Sequence, residues 1–84
     1  MEPRWPMTKI KLIWDFRGPN AFKTAEHHHK HLIDYLKTEQ IDYDLSDFEM
    51  VTDGHAIAYV VIAEIHVRKV RDSLRPHRGI LYTA

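Results

Sequence analysis

Histidine is the side chain whose charge changes nearest neutral pH, and it is a common ligand of transition metals. Seven occur in this chain, four of them in the run His27-His28-His29-Lys30-His31. On a helix, at about 100° per residue, these four point in different directions. His29 falls on an apolar stripe with Ala25 and Leu32, where a packed histidine with its polar nitrogen satisfied is expected. His28 sits at the border of that stripe, near Thr24 and Tyr35. His27 and His31 stand one turn apart on the outer side, the i, i+4 spacing used by helical zinc motifs. HExxH itself is missing, because His28, His29 and Lys30 intervene. A bound zinc takes at least three protein ligands, so a third must come from another element or subunit. His27 and His31 are the metal candidates, for zinc or nickel, and nothing in the pattern requires a cofactor.

The second chemical resource is cationic. Arg17, Arg71, Arg75 and Arg78 are spread along the chain, accompanied by Asn20, His55 and His77. Gathered at one place they hold a small phosphate or carboxylate through charge-assisted hydrogen bonds. A histidine beside such a site acts as a proton-transfer base, and His28, His55 and His77 are the candidates. Other chemistries are missing. There is no cysteine, hence no disulfide, thiolate metal site or cysteine nucleophile. Ser46 and Ser73 are the only serines, and neither sits in a nucleophile elbow or near a histidine in sequence. Gly18, Gly54 and Gly79 lie too far apart for a phosphate-cradling loop.

The elements that must position these residues are legible from periodicity. Residues 8–17 alternate, with Ile10, Leu12, Trp14 and Phe16 on one side, and predict a strand. Gly18-Pro19-Asn20 stops it and starts a helix over 21–38, with Asn20 as N-cap and Ala21, Ala25, Leu32 and Leu36 on one stripe. Residues 41–52 predict an extended segment whose alternation breaks between Leu45 and Phe48, where a bulge is expected. Asp53-Gly54 marks a hairpin. Residues 55–63 are apolar on both faces, as in a central strand. A second helix follows over 64–74, ended by Pro76, and a short strand over 79–83. The first seven residues, with two prolines and Trp5, predict an extended arm.

The order is βαββαβ within one domain over residues 1–84. It predicts a ferredoxin-like α+β sandwich: a four-stranded antiparallel sheet, order 4-1-3-2, with two helices on one face. That topology places Arg17, Asn20, His55, Arg71, Arg75, His77 and Arg78 at one end of the sheet. The leading expectation is a binding module for a small anionic ligand held by Arg17, Asn20, Arg71, Arg75, His77 and Arg78; the structural alternative is that these cations complement the dipole of the second helix and pair with Asp15, Asp53 or Asp72. With a histidine as base and arginines on an anionic substrate, the layout resembles the small dimeric α/β-barrel proteins, which include isomerases and cofactor-free oxygenases. That resemblance is one of layout and carries no motif. A structural or partner-binding protein without a small ligand is the third reading.

Two helices cover one side of the sheet, so one face of the third strand is expected to meet solvent or a partner. A homodimer through that face is the simplest solution, and the alternative is that the N-terminal arm, through Trp5 and Met7, folds across it within one chain. Six acids and no Lys or Arg lie between residues 38 and 54, as in an edge strand guarded against unwanted pairing. Nucleic acid is not the expected partner. Twelve Lys+Arg balance twelve Asp+Glu. The RNA-recognition echo in His55-Ala56-Ile57-Ala58-Tyr59-Val60-Val61-Ile62 has an aliphatic residue where a base would stack. No apolar run approaches the ~20 residues of a membrane span, and a cytoplasmic location is expected.

Overall fold

The computed structural model describes residues 8–82. The arm expected at residues 1–7, with Trp5 as its anchor, and Thr83 in the last strand lie outside the described residues. In chain order come β1 (Lys9–Arg17), α1 (Ala21–Thr38), β2 (Leu45–Thr52), β3 (His55–Ala63), α2 (Val67–Leu74) and β4 (Arg78–Tyr82). A 3-10 turn at Glu64–His66 leads into α2. The strands form one antiparallel sheet in the order β2-β3-β1-β4, which is the expected 4-1-3-2 read from the other edge. Both helices pack on the same side of it. Leu32 and Leu36 of α1 and Val70 of α2 share a buried cluster with Leu12, Trp14, Val60 and Ile62 of the central strands. Fully burying one such aliphatic side chain contributes about 1.5–3 kcal/mol.

α1 starts after Gly18, whose φ of 111° turns the chain away from β1. Asn20 occupies the N-cap position, but its side chain makes no capping bond. Its carbonyl instead accepts hydrogen bonds from both the N–H and the hydroxyl of Thr24. The helix ends with Gln40 in the left-handed region, φ 57°. Ile41 N–H then donates to Leu36 O (2.9 Å) while the Ile41 side chain enters the core. Both features belong to a Schellman ending.

Two elements begin later than the sequence predicts. Because Ile41 is drawn into the core by the end of α1, residues 41–44 serve as a connection, and β2 starts at Leu45. Its irregularity falls between Met50 and Thr52, next to the hairpin, rather than between Leu45 and Phe48. The second helix does not start at Glu64, because Glu64 N–H still donates to Thr8 O (2.9 Å) and holds the chain to the sheet. The α-helical part is left with eight residues.

On the face away from the helices, the expected bare apolar surface is not found on β3, where residues 56–62 are all buried. Ile13, Ile57 and Tyr59 form a small cluster of their own there, at 3%, 6% and 8% exposure. The Lys11 ammonium lies 4.2 Å from the centre of the Tyr59 ring and covers its face. Burial, together with the Glu49 and Asp47 carboxylates, pushes the Tyr59 hydroxyl above the ordinary tyrosine range. Among the described residues, no helix is long and apolar enough to cross a membrane.

Candidate functional site

The structure separates the residues that the sequence reading gathers at one rim. β4 enters the sheet with Arg78 opposite Ile13, four residues short of Arg17, or about 13 Å of strand at roughly 3.3 Å per residue. Arg17 stays at the hairpin end, opposite His55. Asn20 follows it at the start of α1. Arg71 belongs to α2 and Arg75 caps its C-terminal end, on the helix side of the sheet. Arg78 points to the opposite side, where Asp15 takes up its guanidinium. Of the six expected ligand-binding residues, Arg71, Arg75 and His77 therefore gather around Pro76, while Arg78 borders the groove there but sends its guanidinium to Asp15 on the other face. Arg17 and Asn20 do not join them.

Asp15 is the hub of the far face. Arg78 Nε donates to its Oδ2 (2.9 Å) and Arg78 Nη2 to its Oδ1 (3.0 Å), a two-pronged pairing. His55 Nε2 lies 2.8 Å from the same Oδ1. The Arg78 guanidinium is the main cause that holds the Asp15 carboxyl at about 2, with His55 assisting against the opposing effect of burial. Arg78 is thereby neutralised by a partner inside the fold, and the ordinary ion-pair account covers it.

His77 is used structurally. Its backbone N–H donates to Ile13 O (2.9 Å), and its ring Nδ1 accepts the Asp15 N–H (2.7 Å). The imidazole stands in for a backbone carbonyl and extends the β1–β4 ladder by one step. Its acceptor nitrogen is committed to the fold.

Arg71 and Arg75 have weaker internal attachments. Arg71 Nε stands 3.7 Å from Asp72 Oδ1, too far for a hydrogen bond. Together with Asp72 and Pro76, the two arginines line an open groove of about 410 Å³. A second groove of about 420 Å³ adjoins it and shares Arg71 and Pro76. Its walls include Ile10, Leu12 and Val67, with Glu64 and Gly79 also lining it. A side chain at Gly79 would press on Leu12, since an added Cβ would come 3.1 Å from Leu12 Cδ2. Two of the last-turn carbonyls of α2 already have donors: Trp14 Nε1 reaches Leu74 O (2.8 Å), and Arg75 N–H reaches Arg71 O (2.9 Å).

Arg75 itself adopts φ 50°, ψ 65°, a left-handed conformation. Glycine favours that region, and other L-residues pay roughly 1–2 kcal/mol for it. At Gln40 the following N–H offsets the cost by bonding Leu36 O. At Arg75 the following residue is Pro76, which has no N–H to donate. The strain at Arg75 is without that compensation.

Among the described residues, the histidines of α1 gain no third metal ligand. His27, His28 and His31 line a shallow groove of about 240 Å³ with Phe16 and Thr24. Among the described residues, however, no three His, Cys, Asp or Glu side chains are arranged to hold a metal ion. His28 packs against Trp14 and Phe16, with ring centres 4.8 and 5.5 Å apart. Burial holds its imidazole below the ordinary histidine range, and His31 and His77 add to the effect. Its Nε2 is shielded and unpartnered among the described residues. His29 lies against Phe48 at 5.4 Å. Its Nε2 is also shielded without a partner among the described residues, contrary to the expectation of a satisfied core histidine. The serines are engaged: Tyr35 OH bonds Ser73 Oγ (2.9 Å), and Ser46 Oγ donates to Tyr59 O (3.1 Å).

Comparison of the chain with family models, curated proteins and solved structures gives no match.

Sequence reasoning named Asp15 among the acids that could pair with the arginines, but missed its joint hold on Arg78 and His55, Pro76 as the pivot of the two grooves, and the apolar wall of Ile10, Leu12 and Val67. A length comparison carries the missing signal. Even eleven helical residues rise only about 16 Å, at roughly 1.5 Å each, whereas a nine-residue strand spans about 30 Å. The second helix cannot return the chain to the level of Arg17.

Proposed function

We propose that the protein is a binding module for a small organic anion, a phosphate or carboxylate, held at the groove around Pro76. Arg71 and Arg75 supply the charge-assisted hydrogen bonds, and the apolar wall of Ile10, Leu12 and Val67 receives the rest of the ligand. Glu64 lines that same groove and excludes a second anionic group from its part of it.

One observation carries the reading. The chain keeps an arginine in a left-handed conformation directly before a proline, where glycine would serve the backbone better and no following N–H offsets the strain. Strain of this kind is retained where the surrounding structure uses it. Hydrogen bonds to charged groups contribute about 1.5–3 kcal/mol each, so two guanidinium groups at an open surface correspond to affinity of millimolar order, about 4 kcal/mol.

Thermal unfolding in rising concentrations of inorganic phosphate, acetate and hexanoate tests the proposal. The melting temperature is expected to rise with phosphate and to rise more with hexanoate than with acetate. Arg71→Ala and Arg75→Ala should abolish the rise. An equal response from both variants and the parent protein would refute the site.

A further inference from the structure

We infer that the outer edge of β4 is a pairing surface for a second copy of this chain, in an antiparallel register centred on Ile80. This inference stands independently of the anion site.

The backbone bonding of β1 decides which groups β4 leaves free. Gly18 N–H donates to Gly54 O (2.8 Å) and Glu64 N–H to Thr8 O (2.9 Å). Even-numbered residues of β1 therefore exchange hydrogen bonds with β3, and odd-numbered ones face β4. In the β1–β4 register, Lys9, Lys11 and Ile13 lie opposite Tyr82, Ile80 and Arg78. Those three residues of β4 turn their backbone groups inward. The N–H and C=O groups of Gly79 and Leu81 point outward, and no strand pairs with that edge among the described residues.

The two edges of the sheet differ in how they resist pairing. β2 carries Asp47 and Glu49, which would face like charges in a symmetric pair. β4 carries no acid, and its one cation, Arg78, is neutralised by Asp15. Its two central apolar side chains are bare, Ile80 at 48% exposure and Leu81 at 64%.

A two-fold axis through Ile80 pairs all five residues of β4. Gly79 then stands opposite Leu81 of the partner subunit, and these two exchange the free backbone bonds. Both positions lie on the helix side of the sheet, since Gly79 pairs with Leu12 and Leu81 with Ile10. The leucine thus meets the one residue of β4 without a side chain, beside the groove lined by Ile10, Leu12 and Val67. On the other face the two Ile80 side chains meet at the axis as a non-hydrogen-bonded pair, where Cα atoms stand about 4.5 Å apart. That separation lies in the range a disulfide can bridge, about 4.4–6.8 Å. The five-residue edge makes a small interface, so association is concentration-dependent.

The chain contains no cysteine, which makes single-cysteine variants clean reporters. Under mild oxidation Ile80→Cys should form a covalent dimer in good yield, while Met50→Cys on the exposed β2 edge should not. In sedimentation velocity the parent protein should approach twice the 10.0 kDa chain mass as concentration rises. Ile80→Lys should stay at the single-chain mass with unchanged circular dichroism, and Met50→Lys should behave as the parent. A parent protein that is monomeric throughout would overturn the inference. So would a dimer untouched by Ile80→Lys, which would locate the partner on another surface, such as the face around Tyr59. Loss of phosphate binding in Arg75→Ala has no bearing on either readout.

Discussion

Replacing Arg75 by glycine separates what the backbone prefers from what the site requires. The left-handed conformation at φ 50° penalises a residue with a Cβ by roughly 1–2 kcal/mol. Glycine removes that penalty but gains conformational freedom in the unfolded chain, at a cost of about 0.5–1 kcal/mol. The expected net result is a stabilisation of about 0.5–1 kcal/mol. For a domain of this size each kcal/mol shifts the melting temperature by about 4–8 °C, so Arg75→Gly should melt roughly 2–8 °C higher than the parent. Arg75→Ala removes the same guanidinium but keeps the strain, and should melt within about 2 °C of the parent, as expected for a surface change. Phosphate at ten times its dissociation constant should stabilise the parent by about 1.4 kcal/mol and neither variant. The assay is thermal unfolding by circular dichroism, with and without phosphate, on all three proteins. If glycine and alanine variants melt together, Arg75 carries no backbone strain and the reasoning behind the site is wrong. If both keep the phosphate response, the strain is real but the arginine is not there for an anion.

Other perturbations test the framework around the site. Asp15→Asn should cost about 1–2 kcal/mol at pH 7, because the carboxylate is held near 2 by Arg78 and His55. The Asp15 contribution is complete above about pH 4 and lost as pH falls toward 2, so the gap between parent and variant in urea unfolding should close across that window. His28 has the opposite sign: its folded form takes up a proton less readily than the unfolded chain, so protonation below its ordinary value of 6.5 favours unfolding. His28→Phe should therefore gain stability relative to the parent between pH 8 and pH 5.5, read from the two melting curves. Trp14→Phe removes the bond from Nε1 to Leu74 O and leaves space under α2, at a cost of about 1–3 kcal/mol by chemical unfolding.

Periodicity made the fold legible. The alternation of Ile10, Leu12, Trp14 and Phe16 and the helical stripe of Ala21, Ala25, Leu32 and Leu36 each depend on one face meeting one core, and the structure keeps both. What escaped the sequence depends on contacts between elements. Ile41 reads as the start of a strand because it is apolar and branched, yet the ending of α1 captures it. Glu64 reads as helical, yet a single bond to Thr8 O holds it to the sheet. Asn20 has the side chain of a cap, yet only its carbonyl is used.

The arginines illustrate the same limit at the level of function. Four cations at nearly matched levels of a sheet form one site only if the element between them is long enough to return the chain to its start. α2 has eight residues and rises about 12 Å, at roughly 1.5 Å per residue, less than half the length of the strands it crosses. Its end therefore delivers Arg75 near the middle of β1. Pro76 and His77 then fix where β4 begins, through the His77 N–H bond to Ile13 O. From there strand alternation sends Arg78 through to Asp15 on the far face and leaves Arg71 and Arg75 on the near one. The anion site is thus a consequence of a short helix: lengthening α2 by one turn would carry Arg75 toward Arg17 and dissolve the groove around Pro76.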